Sequence, residues 1–409
     1  DTTSYIMQHN QGQNKEWEFK LDYTQKFSET DRLEAGWQST FEDRFGPNSA
    51  TDLLTNSPLY AYYNEFDYKE QVHAAYITYG NRLNKLSLQG GLRGEYFWRH
   101  PFNSVLDNAG NKQTDDYGAK GEIQLFPSFF ASYSLPDNNE IQFNTSRRIS
   151  RPRGRQINPF RDYSDSTNIS YGNLDLSPEY SAALELNYLK TWDKHSLAST
   201  LYHRFTDDVI QRVSFMNNDN VLESTYMNVT KSANTGFELV VKNNLFKILN
   251  LTSSVNLYYS KLYASTYISP YNNSITRNIP EQENFSWTGR VIGNVILGKN
   301  TFGQITGQYS APRLIAQGKE TASYSVDLGL RQTLFDRKLS LNFMIRDVLN
   351  TRRRSSVTWG DGFYQRSESY FSGRMIGLTA TYNFGNMKPK KTEQQRDNNG
   401  GGEMGFGEE

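Results

Sequence analysis

The sequence predicts an all-β protein, a transmembrane antiparallel β-barrel. Three observations predict it. Apolar and polar residues alternate with a period of two along nearly the whole chain. The alternating runs reach about ten residues or more, the length a tilted strand needs to cross a bilayer. The segments between runs are short and long in turn.

Composition agrees. The 409 residues include 27 Tyr and 24 Phe, yet only 36% are hydrophobic and the mean hydropathy is −0.73. A soluble chain this aromatic needs abundant Leu, Ile and Val to fill several cores; here apolar residues fall at about every second position. No apolar run reaches the roughly 18 residues of a transmembrane helix. A spanning strand needs an apolar residue only at alternate positions. The absence of Cys excludes disulfides and Cys-based metal sites. Equal acidic and basic counts, 44 each, argue against nucleic acid as a partner. No signal peptide is visible at Asp1, so an export signal is expected to have been removed or to lie upstream.

The first clear run is Trp17, Phe19, Leu21 and Tyr23, with Glu18, Lys20, Asp22 and Thr24 between them. Leu86, Leu88, Leu92, Tyr96 and Trp98 face away from Gln89, Arg93, Glu95 and Arg99. Leu249, Leu251, Val255, Leu257 and Tyr259 interleave with Asn250, Thr252, Ser254 and Asn256. Tyr324, Val326, Leu328 and Leu330 alternate with Ser325, Asp327, Gly329 and Arg331, and Ile376 to Phe384 repeats the pattern. Soluble sheets alternate too, but their strands usually stop near five or six residues. Aromatics near run ends, such as Trp17, Tyr23, Trp37, Phe41, Trp98 and Tyr382, suit the interfacial girdles of a barrel.

Short polar turns are expected at Ser28–Arg32, Asn81–Lys85, Pro136–Asn139, Asp193–His195 and Asp336–Lys338. Long irregular segments are expected at Gly46–Phe66, Pro101–Gly118, Arg151–Ser177, Ala264–Glu283 and Thr351–Gly362. Short turns face the periplasm and long loops the outside. About 15 spanning strands result. The stretch His195–Lys242 reads as two long strands that carry an embedded outer hairpin. Residues 1–385 form the barrel and 386–409 a flexible periplasmic tail. Bacterial barrels have even strand numbers. The first complete strand descends from the outside, as does the last. An ascending strand before residue 13 is therefore expected, so the chain should start inside a larger barrel and lack its N-terminal part.

The middle of the chain carries a motif. Gly172-Asn173-Leu174-Asp175-Leu176-Ser177-Pro178-Glu179-Tyr180-Ser181 resembles the G-N-P-D-L-K-P-E-Y-S signature of TonB-dependent receptor barrels. It departs at Leu174, where Pro is usual, and at Ser177, where Lys is usual. Arg151-Pro152, Gln156-Ile157-Asn158-Pro159-Phe160, Phe126-Pro127-Ser128 and Gly236-Phe237-Glu238-Leu239 are similar to other stretches of those receptors. The basic, then Gly-rich tail resembles the C-terminus of the related outer-membrane β-barrel family. The resemblance implies a 22-stranded barrel around an N-terminal plug, of a size that leaves a plugged lumen. It also implies a periplasmic box that engages the TonB energy-coupling complex of the inner membrane. Neither plug nor box lies within this chain. The inward charges Glu18, Lys20, Asp327 and Arg331 would face plug or water.

Three groups are candidate contact sites. Arg147, Arg148, Arg151, Arg153 and Arg155 form a dense basic stretch that suits capture of an anionic ligand or pairing with plug carboxylates; the plainer reading is a solvated strand end. Tyr60, Tyr62, Tyr63, Phe66 and Tyr68 suit stacking on a sugar or aromatic ligand, or anchoring a partner; the plainer reading is a self-packed loop or interfacial belt. Arg352-Arg353-Arg354 has the same two readings as the first group. In the tail, Met404 and Phe406 are candidate docking residues for a partner.

His9, His73, His100, His195 and His203 are isolated, so no metal site or cofactor is expected. No G-x-S-x-G nucleophile motif occurs, and no enzyme activity is expected. The leading expectation is a receptor-like barrel of the Gram-negative outer membrane that imports a ligand through a plugged lumen. Its expected partners are outer-membrane lipid, its own plug, the TonB complex, a lipoprotein lid or other outer-membrane subunits. The alternative is an accessory or scaffold barrel that does not transport. A passive porin and a barrel hydrolase are further rivals, disfavoured by the long loops and by the lone histidines.

Overall fold

Alternation on this scale gives each strand one face for lipid and one for the interior, and hairpin turns then set neighbours antiparallel. In the computed structural model, which describes residues 5–162, 165, 167–268, 276–360, 362–370 and 373–384, the main sheet has 19 strands. Four are short additions at the long-loop end: Ile6–Asn10, Ser57–Pro58, Lys112–Asp116 and Asn168–Ser170. The other fifteen form one antiparallel meander. They are β1 (Gln13–Lys26), β2 (Asp31–Asp52), β3 (Asn64–Leu83), β4 (Leu86–Leu106), β5 (Lys120–Leu135), β6 (Asn139–Ser150), β7 (Glu179–Thr191) and β8 (His195–Met216). They continue with β9 (Leu222–Leu245), β10 (Leu249–Leu262), β11 (Gln282–Gly298), β12 (Thr301–Ser310), β13 (Ser323–Leu334), β14 (Leu339–Arg346) and β15 (Met375–Tyr382). The tail 386–409, with Met404 and Phe406, lies outside the described residues.

The outer face is apolar and open. Leu184 and Leu186 of β7 are 50% and 49% exposed, while the alternate residues Glu185 and Asn187 face the interior. Trp17, Phe19, Leu21 and Tyr23 are exposed on β1 in the same way. A soluble sheet would bury this face, and a membrane sheet gives it to lipid. Among the described residues, β1 pairs only with β2 and β15 only with β14. Both outer edges of the meander thus leave backbone N–H and C=O groups without a strand partner.

The five expected long loops are all partly strand. β2 runs on to Asp52, β3 begins at Asn64, and β4 ends at Leu106, so the connections shrink to 53–63 and 107–119, which hold the short strands Ser57–Pro58 and Lys112–Asp116. Alternation fails there because polar groups pair across the ladder. Asn48 donates to Asn64 at 3.4 Å, and Asn64 donates to Asn103. Arg353–Gly360, inside the expected loop Thr351–Gly362, likewise pairs with Phe363–Tyr370 just beyond it to form a hairpin. Ser265–Ile268 pairs with Thr276–Ile279 inside the expected loop 264–283. β8 and β9 are 22 and 24 residues long and continue as one hairpin beyond the membrane, with a bulge between Thr206 and Val209.

The upper β8–β9 hairpin is packed on both faces. On one, Val213 and Val229 meet Leu262, Ile279 and Ala316. On the other, Ile210 and Tyr226 join Ile157, Leu174 and Leu176 of the 151–178 loop, together with Phe66 and Tyr68 of β3. The loop therefore folds over the inner face and joins two distant parts of the sheet. Ile157 and Leu176 are 1% exposed. Each such side chain contributes roughly 1.5–3 kcal/mol to holding the loop there.

Candidate functional site

The inner faces of β6 to β13 line a cavity of about 1000 Å³. Gln142 and Asn144 of β6, Glu185 and Asn187 of β7, Tyr202 and Arg204 of β8, and Glu238 of β9 are on its wall. So are Asn256 of β10, Thr288 of β11, Gln308 of β12 and Ser325 of β13. Eight successive strands can share one cavity only if the sheet curves around it.

The mouth is built by two outer loops. Arg313–Ile315, Gly318–Glu320, Arg353–Gly360 and Phe363–Tyr370 form a separate four-stranded sheet. Glu320 fastens it, accepting from Arg313 at 2.7 Å and from Arg354 at 2.6 Å. Burial pushes the Glu320 carboxyl up, but the two guanidiniums outweigh it and hold the group below its ordinary 4.5. A depressed carboxyl contributes stability that is full above its unfolded value and is lost as pH falls through the folded one. Acidification below about pH 4.5 is therefore expected to loosen this sheet, read as faster proteolysis within 313–320 and 353–370; Glu320→Gln should remove the pH dependence. Arg352 is held at the same mouth by Asp327 at 3.0 Å and by Ser325.

Deeper in the wall, Tyr202 lies across the ladder and donates to Asn256 at 3.0 Å. It can do so because its register partner is Gly236, where a Cβ would stand 2.4 Å from the Tyr202 hydroxyl. Gly236→Ala is expected to swing Tyr202 away and lose this bond at about 1 kcal/mol, measured as a lower thermal midpoint that Tyr202→Phe does not lower further.

The five arginines of the dense basic stretch part company. Arg148 lines the cavity. Arg147, one residue earlier, points to the opposite face, its guanidinium 5.0 Å from the Tyr180 ring centre. Arg151 is bound to Glu95 at 2.5 Å and lies over Phe97. Arg153 and Arg155 are exposed, Arg153 at the start of the helix Gly154–Ile157 and Arg155 within it. The aromatic group divides too. Tyr60 and Tyr62 form a helical turn outside the sheet, and Tyr63 donates to Glu65 at 2.9 Å. Phe66 is 3% exposed and belongs to the packed cluster beneath the 151–178 loop, so it has no free face for a ligand. It lies in β3, stacked at 5.9 Å on Tyr68. Arg204, Glu185 and Glu238 escaped the reading by dense runs. Their signal was present: each is a charge on the polar side of an alternating strand.

The signature stretch is structural here. Gly172 and Asn173 donate backbone N–H groups to Asn158 and Gln156 at 2.8 and 2.6 Å. The Asn173 side chain donates to the Tyr226 carbonyl at 2.9 Å. Asn228 of β9 accepts from the Ser177 N–H and donates to its carbonyl. Glu179 accepts from the Ile210 N–H at 2.6 Å. The motif pins the loop to β8 and β9.

A model of the outer membrane protein beta-barrel family matches residues 1–382. The chain belongs to that family. Its place is the Gram-negative outer membrane, and its fold is that of the TonB-dependent receptor barrels. Similar solved structures include the ferric yersiniabactin uptake receptor FyuA of Yersinia pestis, 13% identical, with a TM-score of 0.65 over 93% of this chain and 55% of that one. The copper transporter OprC is 13% identical, with a TM-score of 0.65 over 92% and 58%. The Serratia marcescens hemophore receptor HasR, solved with its hemophore HasA and heme, is 13% identical, with a TM-score of 0.57 over 94% and 60%. The chain thus spans little more than half the length of these structures. No curated protein matches it in sequence. Likeness at this identity fixes the fold of the family member, with lipid at its outer face.

Proposed function

We propose that this family member binds a ligand in the wall cavity and passes it through a plugged lumen with energy from the TonB complex. Mechanism then means binding and gated release, with no bond chemistry. The observation that carries the proposal is the cavity's polar, arginine-rich lining beneath ordered outer loops. Two loops are built into a sheet of their own over a polar wall, and a third is pinned across the inner face. Six arginines against three glutamates on the lining leave it cationic, which favours an anionic group on the ligand. Plug and TonB complex enter as partners on the likeness to TonB-dependent receptor barrels, while the open edges of β1 and β15 call for further strands. Backbone groups left unpaired in lipid cost several kcal/mol each.

The chain itself has no cysteine, so Arg148→Cys gives it a single thiol. Arg148→Cys in whole cells is expected to react with a membrane-impermeant maleimide from outside. Small molecules released from the purified protein should slow that reaction. A thiol shielded by other subunits in the native membrane, and freed only when they are stripped, would replace the receptor with the scaffold reading.

A further inference from the structure

The short turns lie at the periplasmic end of an outer-membrane barrel, and here they fall into two sets. Those of the first half join β1 to β2, β3 to β4 and β5 to β6. They place only Asn84, Asp137 and Asn138 in the left-handed region, at φ 58°, 57° and 54°. Asn and Asp tolerate that conformation because their short polar side chains bond locally. In the second half, the β9–β10 turn places Phe246 and Lys247 there, at φ 53° and 63°. The β13–β14 turn places Phe335, Asp336 and Arg337 there, at φ 52°, 52° and 68°. A bulky residue is strained in this region, and Asn would not be.

Neither ring is buried: Phe246 is 85% exposed and Phe335 69%. Strain held at a side chain with no packing role points to a contact outside the chain. Both rings stand where the lipid-facing surface ends. Beside them Leu297 of β11 is exposed, and so is Trp192 of the β7–β8 turn, with the Lys190 ammonium 5.3 Å from its ring centre. The apolar part of the contact is thus continuous with the face already given to lipid.

Charge selects among lipids. The turns of the second half carry Lys194, Lys247, Lys299, Arg337 and Lys338 against Asp193 and Asp336. Those of the first half carry Lys85 against Glu29 and Asp137. Among the described residues, none of the cations from Lys194 to Lys338 in these turns has an ion pair. Unpaired cations at headgroup depth attract anionic lipid.

We infer that the rim from the β7–β8 turn to the β13–β14 turn binds anionic phospholipid of the inner leaflet. Phe246 and Phe335 enter the acyl boundary, and the lysines and Arg337 meet the phosphates. The rim of the first half touches lipid without that preference.

The test uses the intact protein purified from its outer membrane and stripped of lipid in detergent. Native mass spectrometry follows the binding of added phosphatidylglycerol and phosphatidylcholine, and thermal midpoints are read in parallel. Phosphatidylglycerol is expected to bind about fivefold more tightly or better. Lys247→Gln/Lys299→Gln/Arg337→Gln/Lys338→Gln should abolish the preference, and Lys85→Gln on the other half should leave it. Phe246→Asn/Phe335→Asn should raise the lipid-free midpoint, because the turns relax, and should weaken the binding of both lipids. Equal binding of the two lipids by the wild type would overturn the inference. So would a preference that survives loss of the four cations, or one that Lys85→Gln removes as fully. A Phe246→Asn/Phe335→Asn protein that binds lipid like the wild type would overturn it as well, because the rings would then serve only the turns.

Discussion

Gly172→Ala is expected to detach the 151–178 loop from the barrel wall. A Cβ at this position would stand 2.5 Å from the Asn158 carbonyl oxygen and 2.7 Å from the Gln156 oxygen and the Asn158 nitrogen. All three are backbone atoms, so no side-chain rotation relieves the overlap. The loop must open where Gly172 and Asn173 now donate to Asn158 and Gln156. Overpacking of this kind costs about 3 kcal/mol. The loss falls on the loop, because the strands beneath keep their own ladders. Protease added to whole cells should cut within 151–178 at least tenfold faster than in the wild type, while the barrel stays protected. Unchanged cleavage would show that the loop is held by something other than this contact.

The second large effect is expected at Glu95. Its carboxylate is 7% exposed and binds Arg93 at 2.6 Å and Arg151 at 2.5 Å. It ties β4 to the start of the same loop. Glu95→Ala strands two guanidiniums in a partly desolvated site, and breaking a buried pair from one side costs about 3 kcal/mol or more. The wild-type pair itself contributes far less than that, because desolvation offsets most of its attraction. Glu95→Leu combined with Arg151→Met is therefore expected to be more stable than Glu95→Ala alone. Thermal midpoints of the three proteins in one detergent test this. A double variant as unstable as the single would mean that Arg151 matters for shape rather than charge.

The strand pattern was open to reading because lipid imposes it. Trp17, Phe19, Leu21 and Tyr23 alternate with polar residues since lipid and lumen differ sharply. Above the membrane that contrast ends. Asn48, Asn64 and Asn103 pair across three strands and read as loop, yet they lie in the ladder. The site was legible only in direction. Neighbouring residues of a strand face opposite ways, so a dense run such as 147–155 marks charge and not a shared surface. Arg147 meets Tyr180 while Arg148 meets the cavity. Contacts across the interior, such as Arg151 with Glu95 or Gln317 with Ser214, join residues far apart in sequence. Alternation gives the face of each residue but not its partner across the lumen. The motif from Gly172 to Ser181 identified the family, and its residues proved to anchor a loop.

The most direct measurement is a cryo-EM structure of the intact protein purified from its native outer membrane. The edges of β1 and β15 should each be paired with a further strand of one closed barrel. The cavity beneath the 313–320 and 353–370 sheet should hold density contacting Arg148 and Arg204. Direct pairing of β1 with β15, or a cavity filled by side chains of another subunit, would contradict a ligand-binding receptor barrel.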